Sequence, residues 1–269
     1  MAQQAIFTNE GEALFAALMF NNTPSVRPSG LELLLFTNTN SVSEATTYAE
    51  LTEPTGGSYA RKQLADANWT LLNGVCSYAS QTFVPIQTGY TGIIQGAAIV
   101  TKGASPKVLF IVTDPTTPTL AVSTPYIVIP SISLGLTTKG NVDFLLSILL
   151  KNEMSKRGTG LKCVLFTNIA NNTAKLASEL AQPSTVGGYL AKDILDSDWS
   201  VDTTSGDCAV TCSAITFTPA TAVFSADIAG YAIVTNGAGY IVSIELDPAQ
   251  PVAIPLNTPY IITPLVTIR

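Results

Sequence analysis

The chain repeats itself, and that limits its possible folds more than any other feature. GGSYARKQLADANW, from Gly56, and GGYLAKDILDSDW, from Gly187, share a glycine, a tyrosine, a lysine, an aspartate and a final tryptophan at an offset of 130 residues. The same offset lays LFTN at Leu35–Asn38 on LFTN at Leu165–Asn168. After four extra residues in the second half, Thr82-Phe83 meets Thr216-Phe217, GAAIVT from Gly96 meets GYAIVT from Gly230, and TPYI from Thr124 meets TPYI from Thr258. So many matches in one order predict two copies of a unit of about 130 residues.

Within a unit the apolar runs read as strands. LELLLFT, KVLFIVT, GYIVSIEL, PYIVIPSISL and PYIITPLVTI are rich in β-branched and aliphatic residues and bounded by Gly, Pro, Asp and Asn. Strand-like runs recur every 10–15 residues with no helical pattern between them, which predicts a sandwich or barrel. Pro130 and Pro264 mark an edge or a bulge in the last strand. Each unit opens on one short helix, about residues 12–21 and 142–151, apolar nearly all round. Such a helix is either sandwiched in the core or pressed against a neighbour, where Phe15, Leu18 and Met19 would be the contacts. The expected fold is therefore mainly β, with two tandem homologous β-sandwich or barrel domains, 1–138 and 139–269, each preceded by one short helix.

Composition narrows the function. Only 12% of residues are charged and the net charge is -6, so no basic stripe can form for nucleic acid, and anionic lipid repels the chain. Low charge also suits a surface shared with other subunits. The first basic residue is Arg27 and the early apolar run covers only Ala13–Phe20, which predicts synthesis without a secretory leader. The longest uncharged stretches are broken by proline, so no membrane span is expected. Cys208 and Cys212 would lie about 13 Å apart along a strand, too far to bridge; the four cysteines read as reduced, buried thiols.

Chemistry finds few candidates. Histidine is absent, which removes Ser-His-Asp and Cys-His nucleophiles, His-containing zinc sites and the usual base near neutral pH. No S-x-x-K, phosphate-binding glycine loop or paired CxxC is present. No catalytic residue, metal ligand or cofactor is expected. The densest acidic group is Asp193, Asp196, Asp198 and Asp202; a calcium loop would need more oxygens and a central glycine, and a polar turn is the plainer reading. The only two tryptophans, Trp69 and Trp199, stand at equivalent positions. Exposed, they would form a stacking platform for sugar; buried, they fill a core with the indole N–H satisfied by backbone. Gly57-x-Tyr59 and Gly187-x-Tyr189 read as a turn feeding a strand, the tyrosine ring inward and its hydroxyl at the rim.

The series LFTN, a Thr/Ser-rich loop, G-x-Y-x-x-K, W, a T-F strand and G-x-A-I-V-T resembles small structural proteins of tailed-bacteriophage virions, the capsid decoration (cement) proteins in particular. The residues that carry the resemblance are Phe36, Asn38, Gly57, Tyr59 and Trp69, with Phe166, Asn168, Gly187, Tyr189 and Trp199. It implies a non-enzymatic protein of the virion, made in a host cytoplasm, whose partners are the major capsid protein and neighbouring copies of itself in an oligomer or symmetric lattice. A neck or tail component and a glycan-binding attachment module are the alternatives.

Overall fold

The computed structural model describes residues 5–27, 29–38, 41–134, 140–168, 174–203, 207–224, 226–249 and 251–268. The expected boundary at 138/139 lies outside them. The chain is mainly β. In its first half the elements are β1 (Ile6–Phe7), α1 (Asn9–Met19), β2 (Leu31–Phe36), β3 (Lys62–Leu64), β4 (Thr70–Leu72), β5 (Val75–Ser77), β6 (Gln81–Phe83), β7 (Gly96–Thr101), β8 (Val108–Thr113), β9 (Tyr126–Val128) and β10 (Ser131–Ile132). The second half follows with α2 (Val142–Lys151), β11 (Leu161–Phe166), β12 (Lys192–Ile194), β13 (Trp199–Asp202), β14 (Cys208–Cys212), β15 (Ile215–Phe217), β16 (Gly230–Thr235), β17 (Ile241–Leu246), β18 (Tyr260–Ile262) and β19 (Leu265–Ile268).

All the ladders are antiparallel, and the two halves pair alike. The large sheets run β1-β8-β7-β2-β3 and β17-β16-β11-β12; the small ones run β10-β5-β4 and β19-β14-β13, with the ribbons β6-β9 and β15-β18. Leu31 opposes Leu64 and Thr101 where Leu161 opposes Ile194 and Thr235. Both large sheets break register at the same letters, Ile99/Val100 and Ile233/Val234. Pro130 and Pro264 sit where one strand changes partner. Each lies two residues after a ribbon strand and directly precedes a strand of the small sheet, and its carbonyl accepts from Tyr78 N or Cys212 N at 2.9 Å. Proline has no N–H to leave stranded at such a crossing.

The helices start and pack for reasons the apolar pattern does not carry. α1 begins at Asn9, three residues before the expected Glu12, because Thr8 caps it: its Oγ1 accepts from Gly11 N at 3.1 Å. Asn141 does the same for α2, accepting from Phe144 N at 3.1 Å. Each helix lies across the other half's small sheet: α1 against β13 and β14, α2 against β4 and β5, and the two helices touch each other. One cluster of buried apolar side chains consequently runs from Phe7 through both helices to Ile268. Phe15, Leu18 and Met19, the expected partner contacts, are 1%, 0% and 0% exposed. They meet this chain's own core and are closed to any partner of the folded protein. A helix apolar on every side must be covered on every side, and here the second half provides the cover.

Two arginines lock this exchange. Arg27 is fully buried and donates to the last carbonyls of α2, Leu149 O at 2.7 Å and Leu150 O at 2.8 Å, and to Asp66 Oδ1 at 2.7 Å. Arg157 repeats the arrangement in the other direction, donating to Met19 O at 2.6 Å, Phe20 O at 3.0 Å and Asp196. A cation at a helix C-terminus meets both the unpaired carbonyls and the negative end of the helix dipole.

Candidate interaction surface

The letters of the repeat hold strands to turns. The Tyr59 hydroxyl accepts from Leu35 N at 2.9 Å and that of Tyr189 from Leu165 N at 3.0 Å. These hydroxyls point inward to the LFTN strand and do not lie at the rim as expected. Asn38 Oδ1 accepts from Thr52 N at 3.2 Å, and Asn168 Oδ1 from Ala181 N at 3.0 Å, which fastens the loop after each LFTN strand. Phe36 and Phe166 are buried against Gly96 and Gly230, where a Cβ would stand 2.8 Å from the phenyl ring and nearer still to backbone. Gly57 and Gly187 have φ of 54° and 87° and touch neighbouring carbonyls, so the turn requires glycine.

The tryptophans are core. Trp69 and Trp199 are 2% and 5% exposed, with ring neighbours Tyr78 at 5.0 Å and Phe20 at 4.7 Å. They are not available as a stacking platform for sugar. Their indole N–H groups have no hydrogen-bond partner, against the expectation that backbone would satisfy them. Ring packing fixes the side chain here, and an unmet buried donor costs about 1–3 kcal/mol.

The acidic loop disperses its charges. Asp196 pairs with Arg157, Asp198 Oδ2 accepts from Leu195 N at 2.9 Å, and Asp193 lies 3.6 Å from Lys162 Nζ. Among the described residues no group of three or more His, Cys, Asp or Glu is placed to hold a metal ion. No described helix is long and apolar enough to cross a membrane.

Among the described residues two recesses on the first half stand out. A cleft of about 700 Å³ runs between β8 and the β9–β10 strand, with Asp114 as its one carboxylate. Burial opposes that charge, but hydrogen bonds from Thr116 and Tyr126 outweigh it and hold the carboxyl below its ordinary range. So bonded, Asp114 is neither a free base nor half of a carboxylate pair. A shallower recess of about 570 Å³ lies between Pro54–Tyr59 and Ile86–Thr88.

That second recess belongs to the surface that stands out. Three loops of the first half knit together through Ile86 N to Gly57 O at 2.8 Å, Thr91 N to Thr55 O at 2.8 Å and Ser123 N to Pro85 O at 3.0 Å. The second half repeats the knot with Ala220 N to Gly187 O and Asn257 N to Pro219 O, both at 2.9 Å. The knots expose large apolar side chains: Ile86, Ile93 and Val122 on one, Val186, Leu190, Val223 and Leu256 on the other. Val122 and Leu256 occupy matching positions. Charge avoids these loops, with none from Ala67 to Thr101, Pro115 to Thr138, Cys208 to Ala226 or Pro248 to Ile268.

Sequence reasoning missed three buried charged side chains. Arg27 and Arg157 carry a signal, since they and their partners Asp66 and Asp196 recur at the offset of 130. Glu12 carries none, because at that offset it meets Val142. It is 1% exposed; Oε2 accepts from Cys208 N at 2.8 Å and Oε1 has no partner. Desolvation raises its pKa to about 7; the Cys208 N–H opposes the shift, and Glu44 and Asp207 add to it.

Comparison with protein-family models, with curated proteins and with solved structures finds no match.

Proposed function

We propose that this protein is a non-catalytic virion subunit, a cement protein that seats on the outside of a capsid and bridges neighbouring capsomers. Its halves are read as copies of one unit, each offering a similar docking end to a similar subunit of the shell. The observation that supports this is the pair of knotted, charge-free loop ends with exposed Ile86 and Val122 on one and Val223 and Leu256 on the other. Exposed apolar side chains grouped on uncharged surface suit burial against a protein partner. Two small contacts on one body reinforce each other, since binding at the first raises the effective concentration at the second. A ligand that binds only the closed shell stabilises it by linkage. The acidity causes no conflict, because the genome lies behind the shell wall.

Sedimentation with expanded, emptied capsids tests the reading. Ile86→Asp and Leu256→Asp lie on exposed loops and should each weaken capsid binding by about tenfold, and together by far more than either alone. Undiminished binding by the double variant refutes the docking ends. A purified ring of six or twelve chains that ignores capsids favours the neck or tail reading instead.

A further inference from the structure

We propose that Glu12 makes the seam between α1 and the β13–β14–β19 sheet pH-responsive: ionising it loosens this seam, while the matching seam under α2 stays shut. The inference stands apart from the capsid reading and rests on the way the two halves exchange helices. Glu12 leaves the first turn of α1 and enters the second half, where one carboxyl oxygen takes the Cys208 N–H and the other meets no donor.

Apart from the Cys208 N–H, the groups that act on Glu12 oppose its ionisation. Glu44, whose backbone carbonyl accepts from Asn9 N at 2.8 Å, and Asp207 both act on it; Asp202 lies near the adjoining Cys208. The Cys208 thiol is pushed up to about 12 by burial, so it stays neutral. On α1 itself Glu10 is committed elsewhere, to Lys107 Nζ at 3.0 Å and Val108 N at 2.9 Å. Among the described residues no ion pair reaches Glu12.

α2 provides the internal comparison. Asp143, in its first turn, also crosses to the other half and accepts from Gly74 N at 2.6 Å; Gly74 is the turn residue just before β5 and stands at the position that matches Cys208, the first residue of β14. But Asp143 is partly exposed and has Lys175 Nζ at 3.3 Å. One seam carries a compensated carboxylate and its counterpart carries a bare one.

The direction follows from linkage. Below about pH 4.5, the ordinary value, Glu12 holds its proton in the folded and unfolded chain alike, and the seam is at full strength. As pH rises towards 7 only the folded chain keeps the proton, so stability falls; above 7 the buried carboxyl is ionised and the whole cost is present. The opening equilibrium should shift by on the order of 100-fold across this window.

Amide hydrogen exchange on the full chain at pH 5.5 and 8.5, corrected for intrinsic rates, tests this. Protection across Cys208–Cys212 should fall by about 30-fold relative to Val75–Ser77 at the higher pH, because pH 5.5 already lies one unit into the window. Glu12→Gln should remove that difference, and Asp143→Asn should leave it in place. Equal pH dependence of the two strands in the unmodified protein overturns the proposal, whether or not the variants fold. So does a difference that persists in Glu12→Gln.

Discussion

Replacing Arg27 by alanine tests the helix exchange at its tightest point. The guanidinium is fully buried and holds the carbonyls of Leu149 and Leu150 and the Asp66 carboxylate, itself 18% exposed. Truncation strands two carbonyls at the end of α2 and leaves Asp66 without its cation, although Asp66 keeps the Gly30 N–H at 3.0 Å. Removing one partner of a buried pair costs about 3–5 kcal/mol. At about 2–3 °C per kcal/mol for a chain of this size, the melting temperature should drop by roughly 6–15 °C. Arg157→Ala should cost less, roughly 2–4 kcal/mol. Its carboxylate, Asp196, is 35% exposed and screened, and Arg157 Nη1 is buried without a partner, so truncation also removes an unmet donor. Urea denaturation followed by circular dichroism gives both values. A loss under about 1 kcal/mol for Arg27→Ala, or a larger loss for Arg157→Ala than for Arg27→Ala, would mean that these arginine contacts do not hold the two seams.

Trp69→Ala or Trp199→Ala should cost roughly 3–5 kcal/mol, while Trp→Phe at either site should cost under about 1.5 kcal/mol, because the indole N–H makes no bond to lose; denaturation midpoints decide between them. The thiols should resist an aromatic disulfide reagent at pH 8 until the chain unfolds. All four cysteines are free and buried, and burial pushes Cys76 and Cys212 to about 11, Cys208 to about 12 and Cys163 higher still. A chain cut by an engineered protease site in the 135–139 segment should keep eluting as one 28.2 kDa body, because each half's helix covers the other's sheet. Separation into two folded halves would contradict the shared core.

Much of the scaffold is legible from spacing. The offsets at which letters agree are the offsets at which strands pair, and even the register break inside AIVT falls on the same dipeptide twice. Phe36 and Gly96 illustrate why: a close approach that admits no Cβ fixes both residues wherever the unit is used. Of the two helix starts only that of α1 was less legible: α2 runs Val142–Lys151 as expected, whereas the Thr8 cap starts α1 at Asn9, three residues early. The exchange of helices was not legible at all. An all-apolar helix reports that it is covered but not by what, and roughly 10–20 residues of linking chain reach either half's sheet equally well. The missing partners of the tryptophan N–H groups were equally hidden, since a sequence shows which donors exist and not which of them packing leaves unserved.

Some agreements and some disagreements between the halves can be traced to the kind of position they occupy. Letters that agree sit where geometry leaves no choice: glycines at carbonyls, phenyl rings on glycine, arginines at helix ends. Letters that differ include buried strand positions where one apolar side chain replaces another, as Leu33 against Cys163, but also exposed loop positions, as Ile86 against Ala220, and the helix seams, as Glu12 against Val142. Packing constraint keeps the first set fixed, whereas an exposed side chain costs the fold little to change. On the proposed reading, two docking ends with similar loop bonding and different side chains can meet one partner at two non-equivalent places, and two seams with different charge can open under different conditions. The scaffold's two-fold likeness and its local asymmetries are thus separable properties. A variant made to match the halves at Ile86/Ala220 should alter partner binding without altering the fold, and one made at Glu12 should alter the response to pH without altering partner binding.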